Sequence, residues 1–159
     1  MGNDNQEITK EVFPCEIQEN SWDDQMTALV GKEIKSLRVS EDLSVIIFGY
    51  GSCKEKYIAY ITVGECCSQT WFADITGVEA LLGNEVIGWR TDDMETYNVD
   101  DGRGRDDVDS AYGITLFTKK GACSIVYRNS SNGYYGGNIS PYNGDFTDKL
   151  ILITDDWMA

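Results

Sequence analysis

Apolar and polar residues alternate along most of this chain with the two-residue period of strands, and only two short stretches carry a helical period. Glu33–Ser40 and Leu43–Tyr50 predict two strands joined through Glu41-Asp42. Within the second, Val45-Ile46-Ile47-Phe48 is apolar at every position, which places it centrally in a sheet covered on both faces. Lys56–Val63 resumes the alternation, with Tyr57, Ala59, Ile61 and Val63 on one face and Ile58, Tyr60 and Thr62 on the other. Glu85–Trp89, Ala111–Thr118, Ala122–Arg128, Gly133–Ile139 and Lys149–Thr154 complete the strands. Lys119-Lys120-Gly121 between two of them is a hairpin signal with Gly for the left-handed position. A first helix is predicted from Ser21, an N-cap with Asp24 three residues on. Trp22, Met26, Leu29 and Val30 lie on its apolar face, and Gly31 ends it. A second helix is predicted from the Thr76–Glu79 capping box with Ile75 and Ala80 as a hydrophobic staple, ending at Gly83. The fold class expected is α+β, β-dominated: a mostly antiparallel sheet of six to eight short strands with two short helices. The pattern makes 21–159 a single globular domain after a polar leader, 1–20.

The chain has 159 residues, enough for one domain that buries roughly 70% of its unfolded surface. Its 27 acidic and 13 basic residues give a formal net charge of −14. That charge repels nucleic-acid backbones and anionic membranes, so direct nucleic-acid or membrane binding is not expected. It fits a solvated surface or an imitation of nucleic acid. Residues 92–109 concentrate the charge and predict a solvated loop or a long hairpin tip. No apolar run approaches the roughly 18–20 residues that span a bilayer. The polar, acidic start is unlike a secretory signal, and Gly2 lacks the spacing for myristoylation. A cytoplasmic protein is expected, with its odd set of five cysteines mostly as free thiols.

Histidine is absent. That excludes Ser-His-Asp and Cys-His hydrolysis and all His-based acid–base chemistry. Cys66 and Cys67 have no activating base beside them, and the charge of Glu65 would raise a neighbouring thiol pKa. The cysteines lack C-x-x-C spacing. In the acidic insert, placing Gly102 or Gly104 at the sixth position of a calcium loop leaves Tyr97 or Val99 as first ligand. No metal and no cofactor is expected. What remains is Tyr127–Ser140, YRNSSNGYYGGNIS, dense in hydrogen-bonding groups and nearly free of charge. Turn chemistry alone explains Asn129-Ser130-Ser131-Asn132-Gly133. The functional alternative is a pocket in which Arg128 pairs an anion and Gly-rich backbone amides complete its shell, with Tyr134 and Tyr135 stacking on a flat base or packing a partner protein.

Three blocks, LVGKEIKSLRVSED, GECCSQTWFADITGVEALLGNEV and RNSSNGYYGG, fall in the order and spacing of a small domain family of unknown function found in bacteria and their phages, and the chain resembles that family over about residues 28–140. The resemblance picks out Cys66, Cys67, Trp71, Ser131, Asn132, Gly133, Tyr134 and Tyr135. The chain departs from it in Glu65, where an Asp is common, and in the acidic insert. The expectation is a non-catalytic binding protein, phage-encoded and directed at host defence in the host cytoplasm. It would sequester a small anionic or nucleotide-like ligand, acting as a homo-oligomer or on a host factor. The expected site joins Cys66, Cys67, Ser68 and Trp71 to Arg128, Asn129, Ser130, Ser131, Asn132, Gly133, Tyr134 and Tyr135. Two alternatives stand beside it. One is an acidic inhibitor or nucleic-acid mimic that acts on a host protein through 92–109 and Asp155-Asp156-Trp157. The other is a thiol- or carboxylate-dependent enzyme.

Overall fold

The all-apolar run Val45–Phe48 is central, as its pattern requires: every residue of Val45–Tyr50 is buried. A computed structural model describes residues 11–13, 26–64, 68–98, 108–131, 137–142, 144–146 and 149–159. Its strands are β1 (Glu11–Phe13), β2 (Glu33–Ser40), β3 (Val45–Tyr50), β4 (Lys56–Gly64), β5 (Gln69–Thr76), β6 (Asn84–Glu85) and β7 (Gly88–Asn98). They continue with β8 (Val108–Thr118), β9 (Gly121–Ser131), β10 (Gly137–Tyr142), β11 (Gly144–Phe146), β12 (Leu150–Leu152) and β13 (Trp157–Met158). One sheet runs β10-β4-β3-β2-β12, with β6 also on β2, and a second runs β13-β5-β9-β8-β7. A separate two-stranded ladder pairs β1 with β11, so the polar leader contributes a strand. Each pairing recorded is antiparallel.

The two sheets close over one core, as sandwiches do. Ile46, Phe48 and Tyr60 of the first sheet share a buried cluster with Phe72, Ile75, Ile114, Leu116, Ile125 and Tyr127 of the second. Tyr127 stacks on Tyr112 at 5.1 Å and 17°, and Phe72 meets it edge-on at 6.3 Å. On the other face of the first sheet, Val45 and Ile47 bury with Ala59 and Leu150 in a second cluster. The expected hairpin forms at Lys119-Lys120, with Thr118 paired to Gly121.

The protein is strand-dominated and antiparallel, as expected, but the single sheet of six to eight strands is replaced, among the described residues, by two sheets and a separate two-stranded ladder. Among the described residues there are thirteen strands. Five of these have only two or three residues (β1, β6, β11, β12, β13), too few for a period-2 pattern to show. β5 escapes the pattern for another reason. A bulge between Phe72 and Asp74 sets two buried residues, Phe72 and Ala73, in succession. The expected strand Glu85–Trp89 is split, because the chain passes from the first sheet to the second at Val86-Ile87.

The helices are smaller than expected. Of the first, the described part is a single 3-10 turn, Thr27–Leu29, with Met26 and Leu29 buried and Val30 exposed. Val30 turns extended and Gly31 takes φ +85°, which stops it after one turn. Ser21, Trp22 and Asp24 lie outside the described residues. The second helix, α1 (Val78–Leu81), is not capped by Thr76, which is paired to Ser124 in β5. The N–H groups of Gly77 and Val78 donate instead to Asp156 Oδ1, at 2.8 and 3.2 Å. The acidic insert enters the ladder at both ends, in β7 and β8, with Asn98 opposite Val108. Residues 99–107 lie outside the described residues. Among the described residues no helix is long and apolar enough to cross a membrane.

Candidate functional site

The two blocks of the expected site meet along one ladder. β5 pairs β9 with Gln69 opposite Ser130, Thr70 opposite Asn129, and Trp71 opposite Arg128. Ser68 leads into that strand; Cys66, Cys67, Asn132, Gly133, Tyr134 and Tyr135 lie outside the described residues. The expected strand end at Arg128 is corrected: β9 continues to Ser131, so Asn129, Ser130 and Ser131 are buried ladder residues and not turn residues. Alternation then divides the group. Arg128 and Ser130 share a face with Gln69 and Trp71, whereas Asn129 and Ser131 share the opposite face with Thr70 and Tyr127.

On the Arg128 face, Nη1 lies 4.0 Å from Oδ2 of the buried Asp109. On the Tyr127 face, Asn129 is fully buried and its Nδ2 donates to Thr70 Oγ1 at 2.8 Å. The space beside it is filled: a Cβ at Gly137 would come within 2.7–3.0 Å of Thr70 and Asn129. The ladder brings the blocks together, and Gly137 packs closely against Thr70 and Asn129 on this face.

An open cavity lies on the other sheet. A bulge in β2 between Ile34 and Ser36 sets Ser36 opposite Gly49 and Arg38 opposite Ile47, on the face away from Leu37 and Val39. Gly49 leaves room there; a Cβ at this position would collide with Ser36 Oγ and Glu55 Oε1. Arg38 is buried, and its Nη1 donates to Ser36 Oγ at 2.7 Å. Ser36 Oγ donates to Glu55 Oε1 at 2.5 Å, and Tyr57 Oη donates to Glu55 Oε2 at 3.2 Å. Arg38 Nη1 stands 3.9 Å from that carboxylate, while its buried Nε–H finds no acceptor among the described residues. The cavity beside them has a volume of about 480 Å³, within the usual range of roughly 300–1,000 Å³ for small-molecule sites. Lys35, Ser52, Cys53 and Thr154 add polar groups to its wall, and Leu82, Leu152 and Ile153 add apolar ones. Lys35 Nζ is at the surface, 2.7 Å from Glu33 Oε2.

A family model described as Domain of unknown function (DUF7448) matches residues 27–140. The chain belongs to this family. The match covers β2 through most of β10, and so both the β5–β9 junction and the Ser36, Arg38 and Glu55 cluster. No curated protein and no solved structure matches the chain.

The DUF7448 domain holds few reactive groups among its described residues. Burial pushes the Cys123 thiol up to about 12, with the charge of Asp156 adding to it, and the side chain packs in the core. Burial likewise takes Tyr127 up to about 12, aided by neighbouring Tyr112. Among the described residues no cluster of three or more Cys, Asp or Glu could hold a metal ion. Sequence reasoning missed the Arg38 cavity in the domain, though one signal was present. Ser36, Arg38 and Ser40 are polar at every second position of a strand whose Leu37 and Val39 are core, and a polar face on an interior strand calls for partners.

Proposed function

We propose that this domain binds a small anionic molecule without transforming it, and that the Arg38 cavity is the seat. The observation that carries the reading is a nearly buried guanidinium that lines a cavity and whose Nε–H is unmatched among the described residues. In a chain of net charge −14, a buried guanidinium in a recess is a specific feature that a uniformly acidic surface would not produce. A guanidinium held by Ser36 and Glu55 is preorganised for a carboxylate or phosphate, and Leu82, Leu152 and Ile153 offer contact to an apolar part. The lack of histidine favours binding over catalysis. In a phage-encoded protein such a site would sequester a host signal molecule, in keeping with the family resemblance.

The test is thermal unfolding of the whole chain against nucleotides, cyclic dinucleotides, small dicarboxylates and inorganic phosphate. A ligand at 100 times its Kd stabilises by about 2.7 kcal/mol, which is roughly 5–10 °C for a chain of this size. Lys35→Ala and Arg38→Gln should each reduce that shift. A panel in which no anion stabilises the wild type more than these variants overturns the reading. The Trp71–Arg128 pair is a second candidate, favoured by the direct pairing of the two blocks. A shift lost in Arg128→Ala and kept in Lys35→Ala would move the site there.

A further inference from the structure

We propose that Cys53 is a modification site that captures small disulfides bearing an anionic group, with the Arg38 cavity as their docking point. The inference rests on the anion-binding reading above and adds a covalent step to it.

Two free cysteines are described, and they differ sharply. Cys123 is fully buried in the core, where a thiol serves as a small apolar side chain. Cys53 is exposed and contributes nothing to either buried cluster. Cysteine is among the residues most often buried, so an exposed one is placed for a reason other than packing. Its position supplies the reason. The β3–β4 loop turns at Gly51, φ +106°, where a Cβ would crowd the carbonyl oxygen of Lys54. That turn brings Ser52, Cys53 and Glu55 to the wall of the same cavity as Lys35 and Arg38.

The second observation is independent of the cysteine. The Arg38 side chain is only 10% exposed and lines the cavity; its Nη1 donates to Ser36 Oγ, and its Nε has no acceptor among the described residues. A carboxylate or phosphate on an entering molecule meets that guanidinium, and the disulfide it carries is held near Cys53. The exchange balances without a further oxidant. Cys53 loses its proton to solvent and its sulfur attacks one sulfur of the entering disulfide. The Sγ–S bond forms as the entering S–S bond breaks, and the other half leaves as a thiolate. The product occupies the cavity and closes it to other anions.

The experiment follows native full-length protein with two disulfides, the anionic 5,5′-dithiobis(2-nitrobenzoate) and the neutral 2,2′-dithiodipyridine. Subtracting the rate of Cys53→Ser isolates Cys53 from the other thiols. Relative to a free small thiol, Cys53 should favour the anionic reagent by on the order of tenfold at low salt, the lower end for electrostatic steering into a cleft. Lys35→Ala, a surface change that keeps the fold, should cut that preference several-fold, and inorganic phosphate should slow the anionic reagent alone. Equal preference at Cys53 and at the free thiol, or a preference unchanged in Lys35→Ala, overturns the proposal. If phosphate still stabilises Cys53→Ser against heat while the reagent preference is missing, only the covalent step falls. If phosphate has no effect either, the anion-binding reading falls with it.

Discussion

Replacing Glu55 by Gln should make the protein less stable and a better anion binder at once. The carboxylate accepts hydrogen bonds from Ser36 Oγ and Tyr57 Oη and lies 3.9 Å from Arg38 Nη1. Gln keeps one carbonyl acceptor, so the variant loses about one hydrogen bond to a charged group, worth roughly 1.5–3 kcal/mol. A loss of about 2 kcal/mol lowers Tm by roughly 4–8 °C. Binding moves the other way, because an anion on Arg38 sits beside Glu55. Two like charges about 4 Å apart repel by about 1 kcal/mol in water and about 4 kcal/mol at an effective dielectric constant of 20. The Glu55 side chain is one-third exposed, which favours the lower part of that range, about 1–2 kcal/mol. The variant should therefore bind its anion about 5- to 30-fold more tightly. Thermal unfolding with and without ligand, paired with titration calorimetry, reads both effects. A variant that loses stability and anion affinity together would refute the cavity as the anion site. A variant with unchanged affinity would place the anion out of reach of Glu55.

Other expectations follow from particular contacts. Asp156→Ala removes the acceptor for the Gly77 and Val78 N–H groups and should cost about 1 kcal/mol in urea unfolding; Asp156→Asn should recover part of it. Asp42 is held below the usual carboxylate range although burial pulls the other way, because Ser40 and Ser44 donate hydrogen bonds to it. Its folded pKa is depressed, so its contribution is present above the ordinary value of 3.8 and lost as pH falls through the lowered one. The stability difference between wild type and Asp42→Ala, measured in urea at several pH values, should be steady above pH 5 and shrink below about pH 4. Cys123 and Tyr127, both raised to about 12, act in the opposite window. Their contribution is intact below their ordinary values of 9.0 and 10.0, so stability should fall as pH rises from there toward 12; Cys123→Ala should remove the earlier part of that fall. Phe72→Ala, at a fully buried ring that meets Tyr127, should cost about 3–5 kcal/mol, read from the urea midpoint.

Local pattern by itself determined what a strand's two faces see. Val45–Phe48, apolar throughout, had to be covered on both sides, and it is the middle of its sheet. Lys119-Lys120-Gly121 had to turn, because glycine there relieves a backbone conformation that other residues resist. The blocks around Trp71 and Arg128 were legible as a pair, and the ladder joins them. What the chain could not declare was which face of that ladder each residue takes, because its register depends on β9 running on to Ser131. The cap of α1 was equally hidden. Thr76 carries the local signal, yet the acceptor is Asp156, seventy-nine residues beyond Gly77. The Arg38 cavity is the fullest case. Ser36 and Glu55 lie nineteen residues apart, and the β12 residue Leu152 on the same wall is farther still. No periodicity links such positions. Alternation specifies inside and outside along one strand, and only the pairing of strands and the path of their loops over a sheet decide which outward groups converge.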